Sequence, residues 1–254
     1  MDLGEIALLV AAGLAAGTVN AVAGGGSLVT FPTLLAVGLP PVAANVTNSI
    51  AVSPGYLGSV IGSRYDLAGQ GARARGVLAT AAVGSATGCA ILLVAPPRSF
   101  EVVVPFLVLV AAAILAFQDR LRRLVGHPAT MPPRRGTLAL HASVGLASIY
   151  GGYFGAALGV MLVALIALVV DESLARVTAL KNLTSLVVGL VTVLVFALFG
   201  PVDWLAVAVV APATIVGGYG GARAARLLPN RIWKATIVAL GTVVGLILLV
   251  DAFS

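Results

Sequence analysis

Charge is what this sequence has least of. Of its 254 residues only 9% are Asp, Glu, Lys or Arg, whereas 60% are hydrophobic. A soluble domain carries about 25% charged residues, and a globule of this size must clothe itself in polar groups that this chain does not have. The shortage excludes an ordinary soluble fold and leaves the bilayer as the fitting solvent. Cysteine is nearly absent too. The single Cys89 sits in an apolar stretch, so an intrachain disulfide and a cysteine metal site are both excluded. It reads as a small buried residue. The carboxylates, Asp2, Glu5, Asp66, Glu101, Asp119, Asp171, Glu172, Asp203 and Asp251, all fall at or near the ends of apolar segments. No carboxylate is therefore expected at mid-membrane to relay protons or hold a cation. Also missing are a His-Glu-x-x-His, a Gly-x-Ser-x-Gly and paired cysteines. Their absence argues against an enzyme, and no metal site is expected.

The chain does have long apolar runs, about ten of them. Crossing a bilayer takes roughly 20 apolar residues. The first run covers Ile6 to Ala23 and stops at Gly24-Gly25-Gly26; it lacks a basic lead-in and reads as a retained membrane segment. The second, Leu28 to Leu39, is short. The third covers Val42 to Ile61, the fourth Val77 to Ala95 and the fifth Val102 to Phe117. A polar stretch from Gln118 to Gly136 carries five arginines and three prolines and reads as a solvated linker. Thr137 to Tyr150, Ala156 to Val170, Leu174 to Phe199, Trp204 to Ala222 and Ile232 to Val250 complete the set. The fold class is an all-α polytopic bundle. Its organisation reads as a first repeat over residues 1–117, a linker over 118–136 and a second repeat over 137–254.

The two halves echo one another. Gly13-Leu14-Ala15 precedes the first glycine run, and Gly145-Leu146-Ala147 precedes Gly151, Gly152 and Gly155. A short apolar segment follows each run and leads to Asn48 in one half and Asn182 in the other. The second spacing is longer by three residues, the length of the turn Asp171-Glu172-Ser173. Placing the linker in the cytoplasm puts every basic loop inside except the one holding Arg98, as the positive-inside rule requires. Both termini then lie outside. Five segments per half gives the halves opposite topology, the inverted-repeat plan of many secondary transporters.

Interruptions at matching places in both halves are the best pointers to a binding site. In the first half these are Asn20, Gly24, Gly25, Gly26 and Ser27; in the second, Tyr150, Gly152, Tyr153 and Gly155. Glycines let the backbone leave the helix, and the helix that restarts turns its N–H groups and positive dipole end toward the break. A plain tight turn with close packing would look the same in the sequence. Two polar clusters follow: Asn45, Thr47, Asn48 and Ser49, then Lys181, Asn182, Thr184 and Ser185. Such groups need a cavity or each other. Lys181 either meets substrate or snorkels to the interface. With no central carboxylate, this lining suits an anion better than a cation. The pairs Gly13/Gly17, Gly58/Gly62, Gly84/Gly88, Gly217/Gly221 and Gly241/Gly245 have the spacing of helix-packing faces.

Two stretches carry a family resemblance. GTVNAVAGGGSLVTFPTLL from Gly17 to Leu35, with GLPPVAANVTN from Gly38 to Asn48, resembles the first-half signature of the TauE/SafE sulfite-exporter-like permeases. YGGYFGAALGVML from Tyr150 to Leu162, with LKNL from Leu180 to Leu183, resembles the second. The resemblance spans nearly the whole chain. It implies a multi-pass permease of a bacterial inner membrane, without a cofactor, for sulfite, sulfonates or related sulfur and organic anions. Related sequences often carry an acidic residue where this chain has Asn20 and Gly151, so proton coupling through those places is not expected. The reading is a carrier working by alternating access, with a channel-like facilitator as the alternative and a membrane scaffold as a third. Its partners are a small anion and the lipid bilayer, not nucleic acid; a homodimer is allowed and not required.

Overall fold

The computed structural model describes residues 1–22, 25–124, 133–224 and 230–253. Among these the chain forms eleven α-helices and one 3-10 turn, with no strand. The helices are α1 (Leu3–Val22), α2 (Ser27–Ala36), α3 (Pro41–Val52), α4 (Pro54–Gly62), α5 (Gly71–Val94), α6 (Pro97–Leu124), α7 (Pro133–Tyr153), α8 (Leu158–Val169), α9 (Leu174–Phe199), α10 (Trp204–Ala224) and α11 (Asn230–Phe253). The protein is an all-α polytopic bundle. Five helices are long and apolar enough to cross a bilayer within Leu3–Asn20, Gly71–Val94, Pro97–Phe117, Ala175–Phe199 and Ala235–Ala252.

Nine of the ten expected segments form one helix each; the third forms two. It divides at Ser53–Pro54, because Pro54 has no N–H to continue the ladder and is well placed as the first residue of a new helix. The expected linker is also shorter than its composition suggests. Helix α6 continues through Leu124, since no proline or glycine interrupts the chain after Phe117 until Gly126. Helix α7 starts at Pro133. Of the stretch 118–136, only 125–132 lies outside the described residues.

The contact pattern is reciprocal. Helix α1 packs along α10, α5 packs along α7, and α6 packs against α11. Thus the first long helix of each half lies on the fourth segment of the other, and the two fifth segments lie together. Glycine makes the first two crossings close. An added Cβ at Gly17 would stand 2.1 Å from the Thr214 carbonyl oxygen, and one at Gly217 would stand 2.1 Å from that of Leu14. At the other crossing, an added Cβ at Gly88 would stand 2.1 Å from the Ile149 oxygen, and one at Gly152 would stand 2.1 Å from that of Ser85. Gly241 and Gly245 face Ala112 and Leu109 of α6. Gly58 and Gly62, expected to pack another helix, meet nothing within 4 Å. Gly221 lies in a stretch whose side chains are not described.

One face carries an ionic tie between the halves. Glu172, in the turn before α9, accepts from Arg73 Nη1 at 3.0 Å and from Arg176 Nε at 2.7 Å. Arg176 also donates to the Ala68 carbonyl at 3.0 Å. The Arg73 hydrogen bond, with Arg176 adding hydrogen bonding and charge, holds the Glu172 carboxyl below the usual carboxylate range. A lowered folded-state pKa contributes stability above the ordinary carboxylate pKa, and that contribution is lost as pH falls through the folded value. We therefore expect the thermal midpoint of purified protein to fall on acidification through that window. Glu172→Gln should lack this part of the pH dependence. Superimposable pH profiles for the two proteins would remove the tie from the account.

Candidate functional site

Both interrupted hairpins end at one cavity. It measures about 450 Å³ and is bounded by the α1–α2 turn, the α7–α8 turn, α4, α9 and α10. Each turn is braced by one polar side chain. At the first, the Gly26 N–H donates to Asn20 Oδ1 at 2.8 Å. That bond fixes the amide's orientation, so Nδ2 is the end left to donate. At the second, the Tyr150 hydroxyl donates to the Ala156 carbonyl at 2.7 Å. Gly155 there has φ +76° and Ala157 has φ +57°. Alanine in the left-handed region is costly and is held there by its surroundings; such strain gathers at functional sites.

Restarting at Ser27 and Leu158, α2 and α8 bring their N-terminal turns to the cavity wall. Several first-turn N–H groups are bonded within the turns, Leu28 to the Gly25 carbonyl, Val29 to that of Gly26 and Leu158 to that of Gly155, so what these ends bring to the wall is the positive pole of the helix dipole. Lys181 enters from α9 against Gly159, whose added Cβ would lie 3.7 Å from the lysine Nζ. Among its described residues the lining holds Lys181 and no Asp or Glu. Its polar groups are otherwise neutral, and Val52, Pro54 and Ile215 supply apolar wall.

Of the residues expected at the site, the cavity takes Asn20, Gly25, Gly26, Ser27, Gly155 and Lys181. Gly24 lies outside the described residues. The remainder line other parts of the bundle, and most of them tie helices together. Asn45 donates to the Tyr153 carbonyl at 2.8 Å. Thr47 accepts from the Asp203 N–H at 3.0 Å. Asn48 accepts from the Thr30 hydroxyl. Asn182 donates to the Ser59 carbonyl at 3.1 Å and to the Ser63 hydroxyl at 3.0 Å. Thr184 donates to the Leu180 carbonyl of its own helix at 2.8 Å. Gly152 is the close contact between α7 and α5 already described, and Tyr153 stacks on Phe100 with ring centres 5.6 Å apart.

The cavity also takes residues that the pattern of glycine breaks did not single out, notably Tyr56, Ser59, Thr214 and Tyr219. Two signals pointed to them: Pro54-Gly55 within an apolar run, and the glycine-rich Gly217-Gly218-Tyr219 late in α10.

Beyond the cavity the path narrows. Ser27, Val52, Tyr56, Gly155 and Leu158 border both it and a chamber of about 20 Å³, room for a single water. Phe154 forms part of that chamber's wall. It is also the centre of a buried aromatic cluster, 5.3 Å from Phe31 edge-on and 6.3 Å from both Phe100 and Tyr150.

A family model described as sulfite exporter TauE/SafE matches residues 9–248. The chain belongs to the TauE/SafE family. It is a membrane transporter of that family. Among curated relatives it is similar to the probable membrane transporter protein YfcA of Escherichia coli K12, 28% identical over 250 residues, covering 93% of this chain and 87% of the relative. It is also similar to a probable membrane transporter protein of Haemophilus influenzae, 27% identical over 236 residues, with 88% and 87% covered. A third, the probable membrane transporter protein ORF9 of a Sinorhizobium species, is 24% identical over 249 residues, with 97% and 93% covered. No solved structure matches the chain. The TauE/SafE model runs through both hairpin turns and through α4, α9 and α10, which bound the cavity.

Proposed function

We propose that this TauE/SafE protein is a secondary carrier, not an enzyme, for a small anion such as sulfite, a sulfonate or a related sulfur or organic anion. The observation that carries the reading is the cavity where both hairpin turns meet, with Lys181 in its wall and no carboxylate among its described residues. An anion there would face the lysine ammonium, the Asn20 amide and two helix N-termini, groups that favour negative charge. Alternating access is supported by asymmetry along the path. The cavity shares five wall residues with a chamber of about 20 Å³, and Phe154 of the Phe31–Phe154–Phe100 cluster walls that chamber. Such a plug favours a carrier over the channel-like facilitator. The reciprocal packing of α1 on α10 and α7 on α5 supports two inverted halves that rock about the site.

The same reading sets the orientation: an inner bacterial membrane, both termini outside, and residues 118–136 with the other arginine-rich loops in the cytoplasm. Purified protein in liposomes should show saturable uptake of labelled sulfite or an alkyl sulfonate, accelerated by the same anion trapped on the other side. Ion currents without saturation or counterflow would establish the channel instead, and no flux of any tested anion would overturn transport of this cargo. For orientation, a cysteine placed at Ala129 should react with a membrane-impermeant thiol reagent only after the cytoplasmic face is opened.

A further inference from the structure

Hydroxyls in this bundle nearly always satisfy themselves on their own helix. Thr33 donates to the Val29 carbonyl, Ser53 to Ser49, Thr184 to Leu180 and Thr242 to Val238, each one turn back. This is the usual habit of serine and threonine in apolar helices. Ser185 departs from it. Its side chain is 1% exposed, yet its Oγ has no hydrogen-bond partner. The neighbouring Thr184 makes the backward bond on the same turn, so the helix geometry there permits it. Two other described buried polar atoms lack partners, Asn45 Oδ1 and Ser148 Oγ, and neither lines the cavity. Ser185 does.

A buried donor left without a partner destabilises a fold, and in native proteins each one calls for a reason. Here the reason lies beside it. Ser185 is one turn beyond Lys181 on α9, and both line the cavity. Side chains on a helix lean toward its N-terminus, so the Ser185 hydroxyl leans over the turn that carries Lys181. Two donors stacked in this way address two acceptor atoms of one ligand.

We propose that Ser185 is a binding residue for the transported anion: its hydroxyl donates to one oxygen while the Lys181 ammonium holds another. The pair selects oxyanions over monatomic anions, because a sulfite or sulfonate offers several oxygens at once and a halide offers a single centre. The proposal rests on reading the cavity as the anion site.

Calorimetric binding to purified full-length protein tests it, with sulfite, methanesulfonate and chloride as probes and Ser185→Ala and Ser185→Thr as variants. Ser185→Ala should lose about tenfold or more in affinity for both oxyanions, the scale of a hydrogen bond to a charged group, and should leave chloride unchanged. Ser185→Thr, which keeps the hydroxyl, should stay within a few-fold of the parent. The ligand-free thermal midpoint of Ser185→Ala should be equal or higher, since an unsatisfied buried group has been removed. Loss of affinity with a gain in stability is a signature that a structural serine would not give. Unchanged oxyanion affinity in Ser185→Ala, an equal loss for chloride, or a lowered midpoint would each overturn the role of Ser185 while leaving the anion site standing. Failure of the parent protein to bind any of the three probes would overturn the site itself and this inference with it.

Discussion

Lys181→Gln should weaken anion binding by about 10- to 100-fold, while the purified protein keeps its thermal midpoint within a few degrees. The size follows from what the lysine supplies. A hydrogen bond in which one partner is charged contributes about 1.5–3 kcal/mol, and each 1.4 kcal/mol is a factor of ten in affinity. Lys181 is half-buried in this wall and lies against Gly159 in the N-terminal turn of α8. Glutamine keeps much of the stem and a donor but removes the charge, so the experiment separates attraction from packing. Calorimetry on the detergent-purified variant, with sulfite and an alkyl sulfonate, reads the affinity directly. An unchanged dissociation constant would mean that the lysine only reaches for the interface. The anion would then rest on Asn20 and the helix ends alone.

The largest effect on folding is expected at the two helix crossings. Gly17→Ala places a methyl 2.1 Å from the Thr214 carbonyl oxygen and 2.6 Å from the Gly218 nitrogen; Gly152→Ala places one 2.1 Å from the Ser85 oxygen. These obstacles are backbone atoms of the facing helix, which cannot rotate aside as a side chain can. The helices must separate instead, and dispersion contacts fall off steeply as a gap opens. Overpacking costs about 1–3 kcal/mol and occasionally more, and here the upper end applies. We expect each alanine variant to lose many degrees of thermal midpoint or to fail to purify as a monodisperse species. Gly55→Ala is the control, since nothing lies within 4 Å of its added Cβ. If Gly17→Ala and Gly152→Ala melt like the parent, the crossings are looser than the structure describes.

These crossings also show what the residues announced in advance. Gly13/Gly17, Gly84/Gly88 and Gly217 were recognisable as packing glycines from spacing alone, because close helix approach in a membrane demands small residues at that interval. Gly58 has the same spacing and faces open space. Spacing gives a smooth helix face but not what stands opposite it. The hairpin turns were legible for a different reason. Consecutive glycines inside an apolar run have few uses, and the same oddity in both halves narrowed them further.

The polar clusters were only half legible. Asn45, Thr47, Asn48 and Asn182 had to be satisfied inside the bundle, and that much was foreseeable. Whether a ligand or another helix does the satisfying depends on partners far along the chain. Asn45 meets Tyr153 and Asn182 meets Ser59, pairings that no local pattern encodes. The division of the third segment at Ser53–Pro54 was missed because apolar residues continue past it on both sides. Yet that break lines the cavity with Pro54, Gly55 and Tyr56.

The reciprocal docking of α1 on α10 and α5 on α7 has a consequence for biogenesis. When α1 leaves the ribosome, the helix that will cover its glycine groove lies far downstream, with Thr18 meeting Gly217 across 199 positions. The amino-terminal half must therefore wait in the bilayer with that groove facing lipid. Neither half can close its own interior, because each supplies the surface the other needs. The assembly step is thus late and long-range, and the incomplete chain is the form most open to proteolysis and to wrong partners. It also follows that two separately translated halves, cut within residues 125–132, contain everything required to find each other in the membrane.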